Sequence, residues 1–187
     1  MPGKNALEFD GVNTHVKVKL PQRLTQMTIA AWVTIGRIND SGGTDYQGVA
    51  SGLLMSEGWG KQGDSSEKCH WQITRAGEIY FGTPDYNVRI PEVLPWQQWG
   101  RNRWRHLVVA TDPVHRQIAC YLDGKQVLAT EFSERFAVAF NDATIGSWKT
   151  DAGTIERGHC GRMDDLMIFS RAMTTQEIQD MHEAGKP

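Results

Sequence analysis

The sequence predicts an all-β fold: a sandwich of two antiparallel sheets with one short C-terminal helix. Three observations predict it. About ten short β-type runs are separated by turn signals, which favours a sandwich over alternating strands and helices. The 187 residues include 19 Gly and 7 Pro, a supply of turn formers that suits many strands. A single capped amphipathic segment stands at the very end. The length matches one domain over residues 1–187, with its core from about residue 5 to 185, and such a domain can bury about 70% of its unfolded surface without a staple.

The elements follow in order. Ala6-Leu7-Glu8-Phe9 and Val16-Lys17-Val18-Lys19 flank Asp10-Gly11-Val12-Asn13 and read as an opening pair of strands, the second alternating apolar and basic residues. Met27 to Ile35 is nearly all apolar or Thr, as a central strand buried on both faces would be. Residues 37–68 form a long irregular segment with Gly-rich stretches and a weak apolar run from Val49 to Met55, and loops of that size usually carry function or disorder. Cys69 to Ile73 and Glu78 to Phe81 make a hairpin across a turn containing Gly77. Trp104 to Thr111, Gln117 to Leu122 and Lys125 to Leu128 follow, the last two joined by Asp123-Gly124, a pair that tolerates the positive φ of a two-residue turn. Ala143 to Gly146 and Met163 to Phe169 are the last strands. In Thr174-Thr175-Gln176-Glu177 the spacing is that of a capping box, after which Ile178, Met181 and His182 share a helix face and Gly185 is a stop.

Composition excludes several functions. With 20 Lys+Arg against 22 Asp+Glu, the chain is neither a polybasic arm nor an acidic tail, and the three arginines from Arg101 to Arg105 do not make a nucleic-acid surface. No apolar run approaches the roughly 18 residues of a membrane helix, and the N-terminus lacks an apolar signal region, so no membrane insertion by this chain is expected. Cys69, Cys120 and Cys160 form no C-x-x-C, and Cys120 in Ile-Ala-Cys-Tyr-Leu reads as a small buried hydrophobe. No G-x-S-x-G elbow, phosphate-cradling glycine loop or paired-His zinc motif is present.

Five blocks then stand in a recognisable order: A-L-E-F-D-G-V-N-T-H-V-K-V from Ala6, T-I-A-A-W-V from Thr28, W-R-H-L-V-V from Trp104, Y-L-D-G-K from Tyr121 and G-R-M-D-D-L-M-I-F-S-R-A-M-T-T-Q-E-I from Gly161. The series resembles the laminin-G-like, concanavalin A-like jelly-roll family in its bacterial branch, over nearly the whole chain. The H-W-Q-I and G-R-M-D-D-L blocks are also similar to C-terminal domains of FecR-like regulators in planctomycetes. The resemblance implies a jelly roll, a non-catalytic recognition role toward a polysaccharide or cell-surface protein, and an extracytoplasmic setting within a longer exported or membrane-anchored protein.

It further implies a structural calcium ion held by carboxylates of the terminal strands, for which Asp10, Asp164 and Asp165 are the candidates. The alternative is that Asp10 only opens a turn and the Asp pair accepts backbone hydrogen bonds. Jelly-roll glycoside hydrolases carry alternating acids on one strand; Glu8-Phe9-Asp10 starts such a pattern, but Val12 and Asn13 stand where a second Glu is needed, so neither hydrolytic mechanism is supplied. A lyase would need a base and a neutraliser on the concave face, where His70, Arg75 and Tyr80 are conceivable but ordinarily spaced. By strand position Trp32, Trp71 and Trp104 belong to the core and Trp148 to a strand end. Trp59, Trp96 and Trp99 remain as loop rings able to stack on a pyranose, with Tyr46 as a further ring and Arg101 as a hydrogen-bond donor; the alternative for Trp96 and Trp99 is a loop folded onto the sheet with both rings buried.

Overall fold

The computed structural model describes residues 5–36, 51–59, 67–74, 77–83, 86–90, 102–131, 137–150 and 152–185. In chain order the strands are β1 (Leu7–Asp10), β2 (Val16–Leu24), β3 (Met27–Val33), β4 (Ser51–Ser56), β5 (His70–Ile73), β6 (Ile79–Thr83), β7 (Tyr86–Ile90), β8 (Arg105–Asp112), β9 (Gln117–Leu122), β10 (Lys125–Glu131), β11 (Val138–Ile145), β12 (Trp148–Lys149), β13 (Ile155–Glu156) and β14 (Cys160–Phe169), followed by helix α1 (Thr175–Gly185). They build a first sheet in the order β1-β14-β3-β8-β9-β10, a second in the order β2-β11-β4-β5-β6-β7, and a small β12-β13 hairpin. This is the expected two-sheet sandwich.

The alternation of side chains decides what each face does. From β3, Met27, Ile29, Ala31 and Val33 point between the sheets, where they meet Trp71, Ile73, Phe81 and Phe140 of the second sheet in one buried cluster. The other face of the first sheet carries Ala30, Val108, Ala110, Ala119 and Tyr121, and Ile178 of α1 packs there with Met173 and Met181. The helix is thus a cover for the first sheet's outer face. Its capping box is present: Glu177 donates its N–H to Thr174 Oγ1, and Glu177 Oε2 accepts the Thr174 N–H at 2.8 Å. The bidentate Arg171 pair, with these Thr174 contacts, pulls the Glu177 carboxyl down to about 2. Asp123 and Gly124 take φ of 51° and 75°, the two left-handed residues of the expected tight turn.

Four expectations need correction. β1 and β2 are not partners: β1 pairs with β14 and β2 with β11, so the chain changes sheets at the first turn. The irregular segment contains β4, a fully buried strand between β11 and β5; its run of Ser, Gly, Leu and Met shows no alternation because both faces are covered. Trp32 is buried, but on the outer face of the first sheet, stacked 5.1 Å from His182 of α1 and 5.0 Å from His106. Trp104 precedes β8 and is half-buried under the Arg162 guanidinium, 5.2 Å from its ring. Of the three assigned to the core, Trp71 alone lies between the sheets. Cys120 is buried as expected, and all three cysteines are free thiols.

Candidate functional site

What α1 does for the first sheet, the β12-β13 hairpin does for the second. β5 and β6 pair with Gln72 opposite Tyr80 and Trp71 opposite Phe81, so Trp71 and Phe81 face the core while His70, Gln72 and Tyr80 share the outer face. Above them the hairpin brings Trp148 and Glu156, paired across its two strands, followed by Arg157. The hairpin sits this close because β4 has a glycine beneath it. The Gly52 N–H donates to the Arg157 carbonyl at 2.8 Å, and a Cβ at Gly52 would lie 3.1 Å from that oxygen and from Ser147. At the rim Lys149 Nζ lies 3.6 Å from the Glu57 carboxylate.

Between floor and hairpin lies a cleft of about 450 Å³ lined by Trp59, His70, Gln72, Tyr80, Trp148, Thr150, Glu156 and Arg157. The Trp59 ring stacks on His70 with centroids 4.0 Å apart, and Trp148 meets the same imidazole edge-on at 5.2 Å. Arg157 has φ 52°, a left-handed conformation uncommon outside glycine, and its guanidinium lies 4.6 Å over the Trp148 ring. Arg157 Nη1 donates to Gln72 Oε1 at 2.9 Å and to His70 Nδ1 at 3.3 Å, while His70 Nε2 donates to the Ser56 carbonyl at 3.1 Å. That network fixes His70 as the neutral Nε2–H tautomer. Burial first, then the Arg157 charge, pushes its pKa down to about 3. Burial pushes the Tyr80 phenol up to about 12 and pulls Arg157 below its ordinary value. The Trp148 indole Nε1–H is buried with no acceptor among the described residues.

Of the expected site residues, Trp59 is in this cleft. Trp96, Trp99, Arg101 and Tyr46 lie outside the described residues, as does Arg75. His70 and Tyr80 do share a face, as a lyase reading would require, but they do so as a neutral donor-acceptor ring and an un-ionised phenol. Glu156 is the cleft's one carboxylate among the described residues. Trp148 was expected only at a strand end, and Arg157 and Glu156 were not singled out at all. A polar His-x-Gln pair on a strand whose alternate residues are Trp and Ile is the signal that marked the floor. The roof leaves no local signal because a hairpin that folds back over a distant strand has no sequence period.

The three aspartates are not brought together. Asp10 pairs with Cys160 and Asp164 with Trp32, four residues further along β14, which is about 13 Å of strand. Asp10 Oδ1 accepts the N–H groups of Val12, Asn13 and Thr14 at 2.7–3.0 Å, bonds that hold its carboxyl well below the usual range. Asp164 Oδ1 accepts the N–H of Asp165, which sits at φ 47° in a bulge. As placed they do not fit one shared ion, and no group of three or more His, Cys, Asp or Glu among the described residues does.

The sequence model of the Concanavalin A-like lectin/glucanases superfamily matches residues 9–179. Solved structures agree at the level of fold. A domain of the Ruminococcus gnavus IT-sialidase, its CBM40 bound to α2,3 sialyllactose, superposes with TM-score 0.68 at 16% identity over 96% of this chain and 97% of that one. A heptameric SAP-like pentraxin from Limulus polyphemus gives 0.66 at 15% identity, covering 94% and 80%. A Bacteroides ovatus protein provisionally described as carbohydrate-binding gives 0.70 at 19% identity over 93% of this chain, which spans only 45% of that protein. No curated protein matches the chain in sequence.

Proposed function

The chain belongs to the Concanavalin A-like lectin/glucanases superfamily, and from that premise we propose that it is a non-catalytic carbohydrate-recognition module whose ligand enters the cleft under the β12-β13 hairpin. The observation that carries the reading is the grouping of two indoles, Trp59 and Trp148, with Gln72, Arg157 and Glu156 around one opening. Aromatic faces pack on the C–H face of a pyranose, and planar amide, guanidinium and carboxylate groups bond its hydroxyls. The CBM40 and the Bacteroides ovatus protein, with the same fold, support a glycan as ligand class. A binding role suits the chemistry better than catalysis. The usual glycoside hydrolysis uses two carboxylates flanking one bond, and Glu156 stands without a second among the described lining residues. Neither a histidine at about 3 nor a phenol at about 12 is poised as a base near neutral pH. No described helix is long and apolar enough to cross a membrane. We further propose that the domain works outside the cytoplasm within a longer exported protein, the setting in which a module for surface glycans meets its ligand.

Tryptophan emission titrated with lactose, α2,3 sialyllactose and neutral polysaccharides tests the reading. At least one glycan is expected to shift the spectrum saturably, and Trp59→Ala is expected to weaken it by about tenfold, the size of one lost aromatic stack. A panel that leaves the spectrum unchanged, or a Trp59→Ala variant that binds as tightly as the parent, contradicts it.

A further inference from the structure

Resting on the reading that this cleft binds a glycan, we propose that it selects an acidic one, whose carboxylate is taken jointly by the Arg157 guanidinium and the Trp148 indole N–H. Two observations converge. Trp148 Nε1–H is a buried donor with no acceptor among the described residues, in a side chain that lines the cleft. Buried polar groups are nearly always bonded, so an orphan donor on a ring that lines a cleft points to an acceptor that a small shift of the ring on ligand entry brings within reach. Beside it is a cation whose plane is fixed on three sides, by the Trp148 ring below it, Gln72 Oε1 and His70 Nδ1. A sugar hydroxyl is both donor and acceptor, whereas a carboxylate accepts only and offers two oxygens to two neighbouring donors.

The rest of the lining is consistent with that division. His70 holds its Nε2–H on Ser56 and turns its Nδ1 lone pair to Arg157, so it carries no charge that would compete for the anion. Tyr80 on the floor keeps its proton and does not repel one. Glu156, next in sequence to Arg157, balances the cleft's charge. Discrimination therefore comes from the fork and the indole at contact range rather than from a long-range field, and it varies little with salt. Glu156 accepts well from hydroxyl or amide N–H groups, so a ligand carrying both kinds of group fits better than a bare anion.

A matched comparison isolates the carboxylate. The methyl glycoside of N-acetylneuraminic acid, trigalacturonate and a glucuronate disaccharide are titrated against the whole chain by tryptophan emission, each beside its own methyl ester and beside neutral glycans. At least one acid is expected to bind about 10- to 100-fold more tightly than its ester, the worth of one charge-assisted contact. Arg157→Gln is expected to remove that gap while changing the ester by no more than about threefold, and Trp148→Phe, which keeps a ring and deletes the donor, to narrow it. Because Arg157 also tethers the hairpin, the acid-to-ester ratio of the unaltered protein stands as a test that needs no variant. Acids and esters that bind alike, or neutral glycans that bind while no acid does, overturn the proposal and leave the glycan reading intact. A panel in which nothing binds overturns both.

Discussion

Trp71→Ala is expected to cost about 3–5 kcal/mol, the usual range for truncating a fully buried aromatic side chain. The Trp71 side chain is fully buried between the two sheets, packed in the same cluster as Leu54, Phe81 and Phe140. For a domain of this size that loss lowers the melting midpoint by roughly 6–20 °C. Trp71→Phe is expected to be far milder. The indole Nε1 of Trp71 is buried without an acceptor among the described residues, so phenylalanine removes an unsatisfied donor along with some volume and part of the packing loss is offset. Calorimetry or a thermal melt of both variants checks the pair, and a Trp71→Ala midpoint within about 2 °C of the parent would contradict the placement of this ring in the core. The same measurement on Trp59→Ala separates the two tryptophan classes, since Trp59 is half-buried at the cleft and its loss is expected mainly in binding.

Acid is expected to unfold the domain before pH 4. Three histidines are buried with their protonated forms disfavoured: His70 at about 3, and His106 and His159 at about 4, against an ordinary value of 6.5. Burial is the leading cause in all three. His106, on β8, adds a contest of neighbours, with His182 of α1 lowering it and Asp123 and Asp165 raising it, while Trp32 stacks on its ring. His159 is held at its Nδ1 by the Ser51 hydroxyl at 2.6 Å, a buried bond within the frame rather than a nucleophile pair. The sign follows from the native values lying below the unfolded one. The unfolded chain binds more protons between about pH 6.5 and 4, so stability is complete above that window and falls as the pH drops through it. Each group removes about 1.4 kcal/mol per pH unit there, and three together reach the order of a domain's whole stability, about 5–15 kcal/mol. Melting midpoints taken from pH 7.5 to 4 should fall steeply below pH 6, with a shallower fall in His106→Gln. A midpoint constant down to pH 4.5 would contradict the burial of these rings as neutral species.

The Asp123-Gly124 turn, the Thr174 capping box and the β5-β6 hairpin were legible because each is local: a few residues carry both the geometry and its chemical cause. Which side of β3 faces the core was not legible, because Ala30 and Trp32 are as apolar as Ile29 and Ala31 and alternation disappears when a helix covers the second face. Strand position alone therefore assigns Trp32 to the core without showing that it lies under α1 rather than between the sheets. β4 was hidden for the same reason. At the cleft, Trp59 was found as a ring in a Gly-rich stretch, and His70 and Tyr80 as polar groups on strands, but their convergence with Trp148 and Arg157 depends on the hairpin docking over Gly52. That contact joins residues about a hundred positions apart, and no spacing rule spans it.

A glycan bound in the opening between the second sheet and the β12-β13 hairpin touches two of the indoles and leaves the core ones alone. The indole N–H resonances of the seven tryptophans, followed while trigalacturonate or the methyl glycoside of N-acetylneuraminic acid is added, test it residue by residue. The Trp148 and Trp59 signals are expected to move together and saturate, with Trp148 shifted most because its N–H gains an acceptor, while Trp71 and Trp32 stay in place. Movement confined to Trp96 or Trp99, with Trp59 and Trp148 unmoved, would contradict it.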